Sequence, residues 1–348
     1  MKRIFLLSTG GTIASAPGQD GRDVSGALPG EALVQALALG EDIRLEVESV
    51  LQKPSNAIDA TDWVTIARRC EALIAGGLAD GIVITHGTDT LEDTAYLLEC
   101  VLDTAKVPVV VTGSQRVPHA LGSDAHANLK RAIDAAASAH SVGLGVMVAF
   151  NESLYSASFV RKVSSFRLDG FDAPGLGCLG FIDNGEVQIL QRPMRQQRLM
   201  LRAPLPRVDI LPVYAGASAA LLEAALASGP AGLVIDGVGR GHVPPCWMPA
   251  LRSAMDQGLS TLVCSSTLYG ATHQSYQFPG SLHELEEAGA VGVRHLTARK
   301  ARIRLALLLA NGANTPPAIE PPSTGSKTAA EAFHEENHVC IENRRYPG

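Results

Sequence analysis

Short apolar runs alternate with helix-patterned stretches along the first 150 residues of this chain. Runs of strand length fall at residues 3–8, 45–50, 81–85, 108–111 and 143–149, and helical patterns lie between them at 30–38, 61–75, 91–104 and 123–140. Such alternation leaves few folds open, because strand-helix-strand units build a mostly parallel sheet covered by helices on both faces. Around residues 182–206 the rhythm gives way to Arg- and Gln-rich segments with Pro193, Pro204 and Pro206, the composition of a connection. A shorter series follows, with strands expected at 209–214, 232–236 and 261–265 and helices at 217–227, 247–257 and 297–310. The expected fold class is α/β in two domains. A larger N-terminal, mostly parallel, doubly wound sheet covers residues 1–190, a linker 191–208, and a smaller C-terminal α/β domain 209–311. Residues 312–348 hold Pro316, Pro317, Pro321 and Pro322 and little that could form a core, so a mobile tail is expected there.

The chain is long enough, at 348 residues, for two domains with a substantial core. Its net charge of −6 disfavours nucleic acid or an anionic membrane as the main partner. No apolar run approaches the ~18 residues that a membrane-spanning helix needs. Lys2 and Arg3 followed by Ile4-Phe5-Leu6-Leu7 start like a signal peptide, but the apolar stretch runs straight into Ser8-Thr9-Gly10-Gly11. It reads as a first strand, and a cytoplasmic location is expected. Cys70, Cys100, Cys178, Cys246, Cys264 and Cys340 form no C-x-x-C pair and no zinc-like spacing, and no H-E-x-x-H pattern occurs. Reduced thiols are expected, with no metal.

Two strand ends carry the chemistry. Residues 81–85 lead into His86-Gly87-Thr88-Asp89-Thr90 and then at once into a helical pattern; residues 3–8 lead into Thr9-Gly10-Gly11-Thr12-Ile13. In open α/β sheets ligands bind beyond the carboxyl ends of strands, beside helix N-termini, so two Gly-Thr strand ends point to one site built from both. The first turn lacks the Gly-Lys-Ser/Thr of a P-loop and the G-x-G-x-x-G of a dinucleotide site, which leaves phosphate cradling unsupported. It offers backbone N–H groups and the Thr12 hydroxyl, which can bind an oxyanion or act as a nucleophile. The plain alternative is a tight turn with Thr12 as a cap. Asp89 followed by Glu92 likewise has the spacing of a capping box. Lys162, in Phe159-Val160-Arg161-Lys162-Val163-Ser164-Ser165-Phe166, is a third candidate. Surface lysines are usually solvated, but a threonine hydroxyl is a weak nucleophile that needs a neighbouring base or cation. A Thr-Lys-Asp cluster would supply one, the carboxylate holding the lysine and the lysine moving the proton.

Taken together, these segments resemble the bacterial-type L-asparaginase family over about residues 3–310. The resemblance rests on Thr9-Gly10-Gly11-Thr12-Ile13-Ala14-Ser15 and on the run from Thr85 to Tyr96. Val111-Thr112-Gly113-Ser114-Gln115-Arg116, Ser123-Asp124-Ala125-His126-Ala127-Asn128-Leu129, Gly177-Cys178-Leu179-Gly180-Phe181-Ile182 and Ala298-Arg299-Lys300-Ala301-Arg302 agree in order and spacing. It implies that Thr12 attacks the side-chain amide carbon of L-asparagine and forms an acyl-enzyme, with Thr88, Asp89 and Lys162 as a second catalytic cluster. Phe171 stands in register with a family phenylalanine nine residues after that lysine. Ser55 and Asn56 match the segment that binds the substrate's α-carboxylate and α-amino group, Asp89 shares the ammonium, and Ser114 lines the side-chain amide. Gly11, Thr88 or the turn at Ser114 would supply oxyanion donors. No cofactor is implied, and a homotetramer of close dimers is.

The chain departs from the family pattern at the lid. Residues 16–29 hold no tyrosine, where the family usually has one completing the Thr12 side; Asp23 or Val24 stands in its place. Tyr269 and Tyr276 are candidates to substitute, from the second domain or a neighbouring subunit, with a structural tyrosine as the plain alternative. Gln277 stands where the family contributes an acid across the interface, and Asn56 where many relatives have glutamine. Such changes bear on substrate preference, because one hydrogen-bond mismatch shifts discrimination strongly. The Gly-rich polar lid, residues 18–26, is expected to open for substrate and to order on closure. Three alternatives stand beside asparaginase: a glutaminase-asparaginase also taking L-glutamine, an amidotransferase subunit releasing ammonia from glutamine, and a non-catalytic amino-acid sensor. The acidic composition and the lack of an added RNA-binding domain weigh against the second. The missing lid tyrosine favours the third, and the intact Thr12, Thr88, Asp89 and Lys162 set weighs against it.

Overall fold

The computed structural model describes residues 1–35 and 37–313; the tail expected over 312–348 lies outside them from residue 314 onward. Eight strands form the first sheet: β1 (Lys2–Gly10), β2 (Ile43–Lys53), β3 (Gly81–Thr85), β4 (Val109–Thr112), β5 (Val146–Phe150), β6 (Ser153–Ser156), β7 (Gly180–Asp183) and β8 (Glu186–Ile189). Their spatial order is β8-β7-β6-β5-β4-β3-β1-β2. The strands β2, β1, β3, β4 and β5 are parallel, and β6, β7 and β8 extend the sheet antiparallel.

The central parallel strands β3, β4 and β5 are buried on both faces because helices cover both. Ile82, Ile84, Val109 and Val111 join one core with residues of α1 (Ala60–Ala75) and α2 (Leu91–Val101). Val83, Val110 and Met147, alternating with them along the strands, join a second core with Leu129, Ala132 and Ile133 of α3 (Ala125–Ala137). Asp59 starts α1 with a capping box, accepting from the amides of Thr61 and Asp62 at 2.8 and 3.0 Å.

The second sheet has the order β9 (Val208–Pro212), β10 (Gly232–Gly237), β11 (Ser260–Ser265), β12 (Val291–Gly292), all parallel. Leu222 of α4 (Ala219–Ala227) and Leu251 of α5 (Met248–Asp256) share its core with Trp247. On the other side, α6 (Ala298–Ala310) packs against β9 and β10 and also against α2 of the first domain. Ala301, Leu305 and Leu308 therefore belong to the same buried cluster as Leu97 and Leu98. This helix carries first-turn side chains from one domain to the other.

The stretch around 182–206, read from the sequence as a connection, begins instead with the hairpin β7–β8. Asn184 and Gly185 both have positive φ, 47° and 82°, as a two-residue hairpin turn of the sheet's own twist requires. Beyond β8 the chain has no regular structure until β9, but it is bound down. Arg195 donates to Glu99 at 3.1 Å and to Thr104 at 2.9 Å, and the Leu199 amide donates to the Cys100 carbonyl at 2.8 Å. No helix among the described residues is long and apolar enough to cross a membrane.

Candidate active site

Parallel register sets the carboxyl ends of three strands side by side: Ser8 pairs with Thr85, and Thr85 with Thr112. The turns that follow β1, β3 and β4 therefore share one edge. After β1 the chain turns through Gly10 and Gly11 with φ of 102° and 82°. A Cβ on Gly11 would lie 2.3 Å from the Gly87 α-carbon, and one on Gly87 would lie 2.8 Å from Ser55 Cβ. Only glycine allows both the positive φ and this approach. It brings Thr12, Ser55 and Thr88 to one place. Thr12, half-buried, opens the 3-10 turn Thr12–Ala14, whose N-cap is Gly11 with no side-chain cap bond; its hydroxyl is not a cap. The Gly11 amide already donates to the Lys53 carbonyl at 3.1 Å. Among the described residues, the amides of Thr12 and Thr88 have no protein acceptor.

Lys162, 74 residues beyond Thr88, closes onto it. Its Nζ donates to Thr88 Oγ1 at 2.6 Å and to Asp89 Oδ1 at 2.7 Å. The Lys162 side chain is 13 % exposed and that of Asp89 is 70 % exposed, so the carboxylate keeps an oxygen open to solvent. The capping-box alternative for Asp89 is not realised: Thr90 is the N-cap of α2, and no side chain caps it. Lys162 lies on a two-residue strand, Arg161–Lys162, paired antiparallel with Phe171–Asp172. Phe171, opposite Lys162, is buried with its ring 4.6 Å from that of Phe150. The Thr88 hydroxyl also lies 3.4 Å from Gln115 Oε1, and Gln115 Nε2 donates to the Ser164 carbonyl at 3.1 Å. An open cavity of about 310 Å³ is lined by Asp89, Lys162, Val163, Ser164, Ser165 and Arg299.

Behind this cluster stands a layer of charge that no residue-level pattern assigned. Glu92, buried in the first turn of α2, accepts from the Lys162 amide at 2.6 Å and lies 3.4 Å from Arg299 Nη1. Arg299 Nη2 donates to the Asp89 carbonyl at 2.9 Å and to Asp93 Oδ2 at 2.7 Å. The sequence signal was the Ala298–Arg302 run, which matched in order but suggested no role. His86 is fully buried and faces inward. Its Nδ1 lies 2.8 Å from the Gly87 carbonyl, an acceptor only, so Nδ1 carries the proton. Nε2 then accepts from Thr94 Oγ1 at 2.9 Å, which in turn accepts from Trp63 Nε1 at 3.0 Å. Burial lowers His86 to about 4, so it is a neutral strut under the Gly87 turn.

Of the other expected residues, Ser55 is buried and its carbonyl accepts from Thr90 Oγ1 at 2.7 Å. Asn56 is exposed in the 3-10 turn Ser55–Ala57. Ser114 is fully buried, with its hydroxyl donating to the Arg116 carbonyl at 2.7 Å. The lid contains a small hairpin, Ala16–Pro17 against Asp23–Val24, and Asp23 Oδ1 lies 3.1 Å from His119 Nε2. Tyr276 packs against His242 and Phe278 in the second domain, 52 % exposed, with Gln277 exposed beside it. Tyr269 faces a cleft with Arg161 and Gly175. Within the chain, no described contact joins Tyr269, Tyr276 or Gln277 to Thr12 or Thr88.

The family model of the asparaginase N-terminal domain matches residues 3–195, and that of the glutaminase/asparaginase C-terminal domain matches residues 207–320. The chain is similar to an L-asparaginase of Bacillus licheniformis, 39 % identical over 310 residues, which cover 89 % of this chain and 96 % of that protein. It is also similar to a glutaminase-asparaginase of Pseudomonas fluorescens biotype A, 30 % identical over 75 % of each chain. A crystal structure of a probable cytoplasmic L-asparaginase from Campylobacter jejuni superimposes with a TM-score of 0.80 at 30 % identity, covering 89 % of this chain and 95 % of the other. Two clustered threonines, a lysine-carboxylate pair beside them, and matches along both domains make this chain a member of the asparaginase family of amidohydrolases.

Proposed function

We propose that the protein is an L-asparaginase, converting L-asparagine and water to L-aspartate and ammonia through an ester on Thr12. The observation that carries this reading is the contact of Lys162 Nζ with both Thr88 and Asp89, beside the Gly11-Thr12 turn. A small zwitterion needs donors for its carboxylate and a carboxylate for its ammonium. The turn at Ser55 suits the first, and the open oxygen of Asp89 suits the second. Thr12 Oγ1 attacks the side-chain amide carbon, and its proton passes to the departing nitrogen as the C–N bond breaks. Water then adds to the ester carbon, giving up a proton as the C–O bond to Thr12 breaks and the Thr12 hydroxyl is restored. Thr88, held by Lys162, is assigned to that proton movement. The unpartnered amides of Thr12 and Thr88 are the candidate oxyanion donors, since that of Gly11 is engaged by Lys53.

This reading calls for no cofactor. It includes a cytoplasmic location, which is supported by the unpaired cysteines among the described residues, and a homotetramer of close dimers. In such an assembly a partner could supply what the lid lacks. Broader action on L-glutamine is the second reading, favoured by the Pseudomonas fluorescens relative. Ammonia release from asparagine and from glutamine separates the two. Thr12→Ala and Thr88→Ala are each expected to lower kcat by about 1000-fold or more while the fold survives. Turnover that persists in both variants would overturn the mechanism. Binding without ammonia release by the unmodified protein would favour the amino-acid sensor.

A further inference from the structure

We propose that Lys300 is a positioning residue for this reaction: from the first turn of α6 it holds the Val160 carbonyl and so sets Lys162 against Thr88. The inference rests on the asparaginase reading and adds to it a residue that never touches substrate. Lys162 lies on a strand of two residues, too short to fix its own place. Beyond its pairing with Phe171–Asp172 and the neighbouring bonds of Val160 to Ser156 and Val163 to Gly170, two contacts from more distant elements hold its backbone. One is the bond from its amide to Glu92 at 2.6 Å; the other is the bond from Lys300 Nζ to the Val160 carbonyl at 2.5 Å, two residues upstream. Arg299, the neighbour of Lys300, holds the Asp89 carbonyl. One helical turn of the second domain therefore grips both halves of the Lys162-Asp89 pair.

Lys300 has no exposed surface, and a buried ammonium persists only where charge and hydrogen bonds compensate it. Glu92 and Asp93 face it from α2, Arg161 from the strand of Lys162, and Arg299 from its own helix. The Tyr96 ring of α2 lies 5.8 Å away, and Tyr269, Arg294 and His295 line the same cleft. Asp93 Oδ1 is buried without a hydrogen-bond partner. Burial lowers Lys300 to about 8. Below that pH its charge balances the two carboxylates. Above it only Arg299 and Arg302 remain on α6 to face them, the grip on Val160 loosens, and Lys162 shifts from Thr88. Substrate binding does not involve Lys300, so the effect falls on kcat.

The test is kcat and KM for ammonia release from asparagine, from about pH 6 to about pH 10, in the unmodified protein, Lys300→Met and Lys300→Arg. In the unmodified protein kcat is expected to fall through a limb near pH 8. Lys300→Met keeps the volume and loses the charge; its kcat is expected to drop by about 100-fold, with KM changed less than about 3-fold and the limb gone. Lys300→Arg keeps the charge and is expected to regain part of kcat and to move the limb upward. An unchanged kcat and limb in a folded Lys300→Met would overturn the proposal. If that variant does not fold, a flat kcat profile in the unmodified protein would overturn it equally. Absence of ammonia release by the unmodified protein at every pH would be a different failure, that of the asparaginase reading itself.

Discussion

The α-carbon of Gly87 occupies the space that a side chain on Gly11 would need: a Cβ there would lie 2.3 Å away, against backbone that cannot swing aside. This contact joins the turn after β1 to the turn after β3 and so unites the two threonine-bearing strand ends. Gly11→Ala adds this clash to a φ of 82° that L side chains rarely adopt. The expected result is a fall in kcat of at least about 100-fold, because a shift of about 1 Å between reacting groups is enough. Steady-state ammonia release, with unfolding followed in parallel, checks it. Near-normal turnover would mean that the two turns act independently.

Asp23 and His119 tie the lid hairpin to the loop that follows Ser114-Gln115. Both side chains are more than 40 % exposed, at 42 and 44 %, so the pair adds little to global stability. Its expected effect is on closure. Asp23→Asn or His119→Ala should raise KM for asparagine by about 3- to 10-fold and leave the melting temperature within about 1 °C. Equal KM values would show that the lid closes without this contact.

Glu99 is buried in α2 and is met by Arg195 from the interdomain connection and by the Val146 amide at 2.6 Å. Burial pushes its carboxyl upward in pKa despite that partner. Arg195→Ala leaves the carboxylate without its cation and is expected to cost about 2–3 kcal/mol in urea unfolding. The double variant Arg195→Ala, Glu99→Gln should recover most of the loss, since an uncharged amide can still accept from Val146. A double variant no better than the single one would mean that the arginine acts by packing alone.

His86 introduces a pH dependence into the fold under the site. In the unfolded chain it titrates near 6.5 and in the folded protein at about 4, so the unfolded state binds more protons between those values. Stability is therefore expected to fall as pH drops from about 6.5 towards 4, by roughly 3 kcal/mol from this group. His86→Gln removes the titration. Its stability curve should be shallower in that window by up to about 1.4 kcal/mol per pH unit, even if lower overall. Parallel curves would place the acid sensitivity elsewhere.

Much of the frame was legible in local pattern. The run 81–85 is read from the sequence with the bounds of β3, because a short apolar stretch ending in Thr-His-Gly needs no distant partner to be a buried strand. The hairpin β7–β8 and the two-residue strand of Lys162 were not legible; their pairing exists only against other segments. Thr12, Thr88 and Asp89 announce themselves by the Gly-Thr turns that present them. The sequence by itself determined the two-sheet α/β plan and which strand ends could do chemistry, since strand and helix periodicities and glycine-dependent turns act over a few neighbouring residues. Only the tertiary structure decided that Lys162 meets Thr88 across 74 residues and that Arg299 reaches Asp89 across 210. The second contact depends on α6 packing against both domains, and packing between distant segments leaves no spacing in the sequence by which to read it.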